Sequence, residues 1–413
     1  MEIYSIFVQN FKMPQLQQVI SADTTPQRPM LNRTLVLIFC MVFTEFIIMG
    51  VSLSVLPSYV HQTLKFSNVW VGVVIGMQYA ATLATRQFAG KTADHRGARV
   101  SVRMGILASA LCGLFLFGAT WLTQSWAALT MLLAARVLLG IGESFLIVGV
   151  FSWGFTLVGS AHTGKVMVWN GMGMYAGMAA GAPLATIMLN MIGLKTLFLM
   201  TVLLPGGIYL IVQLLPTIPL PTEVKKLPFY KAVSLVWGAG SALALASIGF
   251  GGIASFISLY FLQHQWPGAS LALTAFGAGY IVVRLFLSHA PDQFGGVKVV
   301  FYCLAVEIIA QLLLWQAGSA NLAIGGAALT GIGMSLIFPS LGQIAVKKVA
   351  AANRGMAIAA YNAFFDLGLG ITGPLAGWIA GKSHYQYVYL FGTLAAVASM
   401  VLVILEHKRN GRD

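Results

Sequence analysis

The sequence predicts an all-α membrane protein with twelve transmembrane helices, arranged as two six-helix pseudo-repeats. Three observations predict it: apolar runs of spanning length, a one-sided distribution of Lys and Arg, and residue patterns that recur between the halves at fixed offsets. Of 413 residues, 58% are hydrophobic and 8% charged, and the mean hydropathy is +0.84. Soluble domains carry about 25% charged residues, so most of this surface faces something other than water. Lipid offers the backbone no hydrogen bonds, which leaves helices or a closed barrel. The runs at 35–56, 101–122 and 388–405 reach the roughly 20 residues that a spanning helix needs, and they are continuous rather than alternating. Barrel strands alternate, so the runs are helices.

Breaks between the runs place spans near 33–58, 69–90, 100–121, 126–157, 163–191, 196–215, 231–262, 270–290, 298–316, 321–345, 355–381 and 386–406. With the amino terminus inside, Lys12, Arg28 and Arg33 precede span 1, and Lys91, Arg96, Arg99 and Arg103 fall between spans 2 and 3. Lys165 follows span 4, Lys225, Lys226 and Lys231 follow span 6, and Lys298 follows span 8. Lys347, Lys348 and Arg354 join spans 10 and 11, and Lys408, Arg409 and Arg412 close the chain. The outer loops hold only Lys65, Lys195 and Lys382, while Arg86, Arg136 and Arg284 lie within helices. This asymmetry follows the positive-inside rule and predicts both termini in the cytoplasm. It also accounts for the net charge of +13 without a nucleic-acid partner.

Residues 1–30 read as a disordered tail: polar, with Pro14, Pro26 and Pro29, and lacking the basic start and apolar core of a cleavable signal. Met13 and Met30 are alternative starts within it. Residues 31–216 form the first bundle and 217–230 a cytosolic linker with Pro219, Pro221, Glu223, Lys225 and Lys226. Residues 231–407 form the second bundle and 408–413 a tail. Cys40, Cys112 and Cys303 all fall inside spans, so no outer disulfide is expected.

The halves share a pattern. Arg86, Asp94 and Gly97 recur as Arg284, Asp292 and Gly295, each 198 residues on. Gly140-Ile141-Gly142 recurs as Gly331-Ile332-Gly333, Gly164 as Gly355, and Pro183-Leu184-Ala185 as Pro374-Leu375-Ala376, each 191 residues on. Each pair occupies corresponding spans, as expected of an internal duplication. Duplicated halves that rock about a mid-membrane site are a secondary-transporter design.

These residues resemble the major facilitator superfamily from about residue 31 onward. Gly90-Lys91-Thr92-Ala93-Asp94-His95-Arg96-Gly97-Ala98-Arg99 is similar to its loop 2–3 signature, with His95 and Ala98 where a basic residue usually stands. Arg136 through Gly142 resembles its Arg-containing span-4 motif. Gly173, Gly177, Gly181 and Pro183 resemble the span-5 glycine-proline motif of drug:proton antiporters, with Ala182 interrupting it. Val55 to His61, Trp169-Asn170-Gly171, Ala242 to Ile257, Phe338 to Gly342 and Thr372 to Gly377 look like the YhhS/YfcJ-type bacterial branch. The resemblance implies a monomeric, multi-pass exporter of drug-like compounds or sugars in the bacterial inner membrane, working by proton antiport. Proton-coupled or facilitative uptake of a small metabolite is the alternative, and a non-transporting membrane receptor is a remote one. The family fold implies that spans 1, 4, 7 and 10 surround the cavity.

Only 11 carboxylates exist. Four lie inside helices: Glu45, Glu143, Glu307 and Asp366. An ionisable group in a bilayer costs ~2.5–3.5 kcal/mol on insertion scales, so it is expected to meet a partner or a wet cavity. Low dielectric disfavours the charged form of a carboxylate, which lets protonation follow conformation. Proton coupling is therefore expected of Glu45, Glu143 and Asp366, with Arg136, which shares a face with Glu143 two turns along span 4. Glu307, in span 9, reads as structural. Gly90, Asp94, Gly97 and Arg99, with Asp292 in the second half, read as a gating loop whose carboxylate faces a helix amino end of the opposite half. Trp169, Asn170 and Tyr175 in span 5 and Tyr361 and Asn362 in span 11 are candidate contacts for a small-molecule substrate. The glycines of spans 5 and 10 read as packing surfaces.

Two other classes, a nucleotide-driven pump and a membrane metalloenzyme, are excluded. Gly90-Lys91-Thr92 and Gly381-Lys382-Ser383 lack the upstream glycine of a phosphate loop, which Thr85 and Ala376 replace. The seven histidines are scattered, with no pair on one helical face to hold a metal. No enzyme and no cofactor is expected.

Overall fold

The computed structural model describes residues 28–159, 163–216, 228–347, 349 and 354–410. Among these, every regular element is helical. The expected disordered tail up to residue 27 and the linker residues 217–227 lie outside the described residues, as do 411–413.

Span 1 is Arg28–Ser58, so the helix begins before the predicted residue 33, and it continues as a π-helical turn at Tyr59–Thr63. Pro57 offers no N–H to the ladder, and the wider turn follows it directly. Spans 2, 3 and 4 are Asn68–His95, Ala98–Ala119 and Ser125–Val158. Thr163–Gln213 holds spans 5 and 6, which part at Gly193, with φ of 78°. The sequence placed that break between residues 191 and 196. Span 7 is Phe229–Gln263 and span 8 Ala269–Leu287, followed by a one-turn helix, Ala290–Phe294. Span 9 is Gly296–Trp315, and span 10 divides into Ala320–Met334 and Ile337–Lys347. Spans 11 and 12 are Arg354–Lys382 and Gln386–Asn410.

Among the described residues, 10 helices are long and apolar enough to cross a membrane. One of them carries both spans 5 and 6. Asn68–His95 supplies the remaining pass, its apolar density lowered by Gln78, Arg86 and Lys91.

Span 2 runs to His95 rather than ending near residue 90. Gly90 and Asp94 are therefore helical, not loop residues, and the reversal falls on Gly97 at φ 92°. Gly295 turns the matching loop of the second half at φ 85°. A side chain is disfavoured at such φ, which explains glycine at both positions.

Spans 1 and 5 pack face to face, span 2 lies on span 4, and span 3 on spans 4 and 6. In the second half, span 7 packs on 11 and 12, span 8 on 10, and span 9 on 10 and 12. The halves meet where span 2 lies on 11 and span 5 on 8. Small residues make these contacts possible. A Cβ on Gly177 would land on the Phe43 carbonyl and within 2.9 Å of the Phe46 Cβ. Between the halves, Gly72 backs onto the Gly373 carbonyl, and a Cβ on Gly76 would lie 2.7 Å from the Gly370 carbonyl. All three cysteines are unpaired.

Candidate functional site

A closed cavity lies mid-span between the halves. Phe46, Met49 and Tyr79 wall it from spans 1 and 2, Glu143 from span 4, and Met174, Tyr175 and Met178 from span 5. Phe250 enters from span 7, and Phe365 and Leu369 from span 11. The free space is about 10 Å³, about that of one water. Rings fill it: Phe250 stacks on Phe276 at 4.7 Å, and Tyr175 approaches Tyr280 at 3.7 Å between centroids. Among the described residues, Glu143 is the one charged residue in the wall.

Glu143 Oε2 accepts a hydrogen bond from Gln78 Nε2 at 2.7 Å. The backbones of spans 2 and 4 are close here, because Gly140 leaves room for the Gln78 carbonyl and accepts from Thr82 Oγ1 at 3.1 Å. Next to this pair, Arg86 of span 2 reaches Asp366 of span 11, with Nη2 at 2.6 Å and Nε at 2.8 Å from Oδ2. The two side chains are 7% and 2% exposed. The ion pair thus joins one half to the other in a dry setting. Breaking such a pair from one side costs about 3–5 kcal/mol, because the remaining charge is stranded.

Arg284 occupies the matching place on span 8, but its partners are neutral: Nε donates to the Ser335 carbonyl at 2.9 Å, and Nη2 to the Tyr280 hydroxyl at 2.6 Å. Arg136 is fully buried. Its Nε donates to the Val74 carbonyl at 3.3 Å, and neither Nη1 nor Nη2 has a partner among the described residues. Glu45 Oε1 accepts from Ser109 at 2.5 Å, and Oε2 has no partner among the described residues. Glu307 is wholly buried between spans 9 and 7, and both of its oxygens lack partners among the described residues.

Of the residues singled out from sequence, the structure brings Glu143 and Tyr175 to the cavity wall and Asp366 beside it. Glu45 and Arg136 stand behind the wall. Trp169 packs edge-on to Phe39, and Asn170 Nδ2 lies 3.3 Å from Met174 Sδ. Tyr361 donates to the Phe338 carbonyl within the second half, and neighbouring Asn362 is half-buried. In the gating loops, Arg99 donates to the Val212 and Leu215 carbonyls at the end of span 6. Asp292 accepts from Gln343 at 2.8 Å. That contact lies within its own half. Arg86 and Gln78 were not singled out as site residues. An arginine within lipid repeated in both halves was the available signal, since such a charge requires a partner.

Where span 2 begins and span 11 ends, the two are closed by Tyr385 donating to Asn68 Oδ1 at 2.9 Å and Asn68 donating to the Ala380 carbonyl at 3.3 Å.

Two duplicated helix bundles enclosing a mid-membrane cavity define a transporter of small molecules. The family model of the Major Facilitator Superfamily matches residues 34–269 and 239–412, and the chain belongs to that family. It is 42% identical over 385 residues to the MFS-type transporter YhhS of Escherichia coli K12, covering 91% of each chain. It is 38% identical over 397 residues to an MFS-type transporter of Burkholderia pseudomallei, covering 95% of this chain and 97% of that one. In fold it is similar to the human organic anion transporter MFSD10, with a TM-score of 0.70 at 15% identity over 91% of this chain and 100% of that one. It is also similar to the E. coli fucose:proton symporter FucP, with a TM-score of 0.62 at 14% identity over 89% and 98%.

Proposed function

We propose that the protein is a monomeric, proton-coupled exporter in the bacterial inner membrane, with both termini cytoplasmic, and that it moves a small molecule outward as protons enter. The observation that carries this reading is the Arg86–Asp366 ion pair, which crosses between the halves beside the cavity acid Glu143. Protonation of either acid removes negative charge facing Arg86. The contact of spans 2 and 11 then loses its electrostatic support, and the halves are free to rock. Deprotonation on the cytoplasmic side restores the pair. A proton thereby becomes the condition for changing access, which is what coupling requires.

The test uses everted membrane vesicles holding a proton gradient, challenged with a panel of sugars, antibiotics and amino-acid-like compounds. At least one compound should discharge the gradient through the wild-type protein, and Glu143→Gln should abolish that response while the protein still folds. Undiminished discharge in Glu143→Gln rejects the coupling role.

A further inference from the structure

The two halves repeat each other, yet their central charges do not. At the offset of 198, Arg86 corresponds to Arg284; at the offset of 191, Asp366 corresponds to Tyr175. The interface of spans 2 and 11 therefore holds a closed ion pair, whereas the corresponding positions of spans 8 and 5 are an arginine and a tyrosine. Arg284 is 4% exposed and makes no ion pair with a carboxylate among the described residues. Its Nε and Nη2 are occupied by the Ser335 carbonyl and the Tyr280 hydroxyl, and Nη1 has no hydrogen-bond partner among the described residues. Span 5 presents no side chain to Nη1 at Gly171, where the position a Cβ would take lies in ordinary contact with it at 3.7 Å. Asn170 beside it is buried with Oδ1 unpartnered among the described residues.

From these observations we infer that Arg284 receives the anionic group of the transported molecule, and that the substrate is a small organic anion with an apolar or aromatic body. An arginine buried without a counter-charge is costly, and a carboxylate, sulfonate or phosphate from outside the chain removes that cost. The planar guanidinium suits such groups. Tyr280 lies one turn toward the cavity from Arg284 and packs against Tyr175 of the wall, so a ligand held by Arg284 extends past these rings into the cavity. The flexible side chains of Met174 and Met178 can make way for its body. This inference rests on the central cavity being the substrate site and not on proton coupling.

The test compares ligands of one size and three charges: benzoate, benzyl alcohol and benzylamine, each titrated against the purified full-length protein by thermal shift, with chloride as the inorganic control. Benzoate should stabilise at a concentration about tenfold below the other two, since one good charge contact is worth about a decade in affinity. Tyr175→Asp supplies the counter-ion that the second half already has, and it should weaken the benzoate response about tenfold more than Tyr175→Asn, which removes the same ring without adding charge. Arg284→Gln should abolish the preference for benzoate. Equal responses to the three ligands, stabilisation by chloride alone, or equal effects of the Asp and Asn substitutions would overturn the inference. No proton moves in this assay, so its failure is distinguishable from a failure of the vesicle experiment.

Discussion

Asp366→Asn keeps the shape of the side chain beside Arg86 and removes its charge. Both partners are buried, at 7% and 2% exposure, so water cannot take the place of the lost carboxylate while spans 2 and 11 stay together. A buried pair broken from one side costs about 3–5 kcal/mol, and about 1.4 kcal/mol is tenfold in an equilibrium. Asn still offers an oxygen to the guanidinium, so the lower end applies, which is a shift of about a hundredfold away from the closed contact. The readout is alkylation of Met49→Cys, on the cavity wall, by a membrane-impermeant reagent, in a background with Cys40, Cys112 and Cys303 replaced by Ser. Asp366→Asn should raise the rate by about tenfold or more. Adding Arg86→Gln, which removes the stranded charge, should bring the rate most of the way back. A single-variant rate within about twofold of the parent would refute the claim that this pair holds the halves together.

Two further outcomes follow from the packing. Gly177→Ala drives a methyl group into the Phe43 carbonyl and against the Phe46 Cβ, atoms held by the backbone that cannot swing aside. It should cost about 1–3 kcal/mol and lower the Tm of the purified protein; an unchanged Tm would contradict the close approach of spans 1 and 5. Glu307→Gln removes an ionisable group from a wholly buried site where neither oxygen is partnered among the described residues. Its Tm should hold or rise and proton-driven flux should persist; lost flux would make Glu307 a coupling acid.

Much of the fold is legible in the sequence because bilayer thickness fixes span length and lipid forbids loose backbone. The break between spans 5 and 6 and the glycine turns at Gly97 and Gly295 follow from those constraints. Span 2 was read too short because Lys91 and Asp94 look like loop residues, although a helix end projecting from a bilayer carries charges readily. At the site, Glu143 and Tyr175 stand out as polar groups on apolar helices. Arg86 was harder to place. Its partner lies 280 residues away, and pairing across two bundles depends on how they dock, which no local pattern encodes. Phe250, Phe365, Met174 and Met178 line the cavity but look like any other core side chains. Tyr361 is buried against Phe338 for the converse reason, an aromatic whose hydroxyl found a backbone carbonyl nearby.

The most direct measurement is the pH dependence of Met49→Cys alkylation, normalised to a cysteine placed at the exposed Lys65. Protonating Asp366 removes the carboxylate charge that Arg86 faces, so the ion pair is present while Asp366 is ionised and lost once it takes up a proton. The normalised rate should therefore rise on acidification in the parent and stay flat in the Glu143→Gln/Asp366→Asn double variant. A pH profile that survives both substitutions would contradict the account, since the opening would then answer to some other proton.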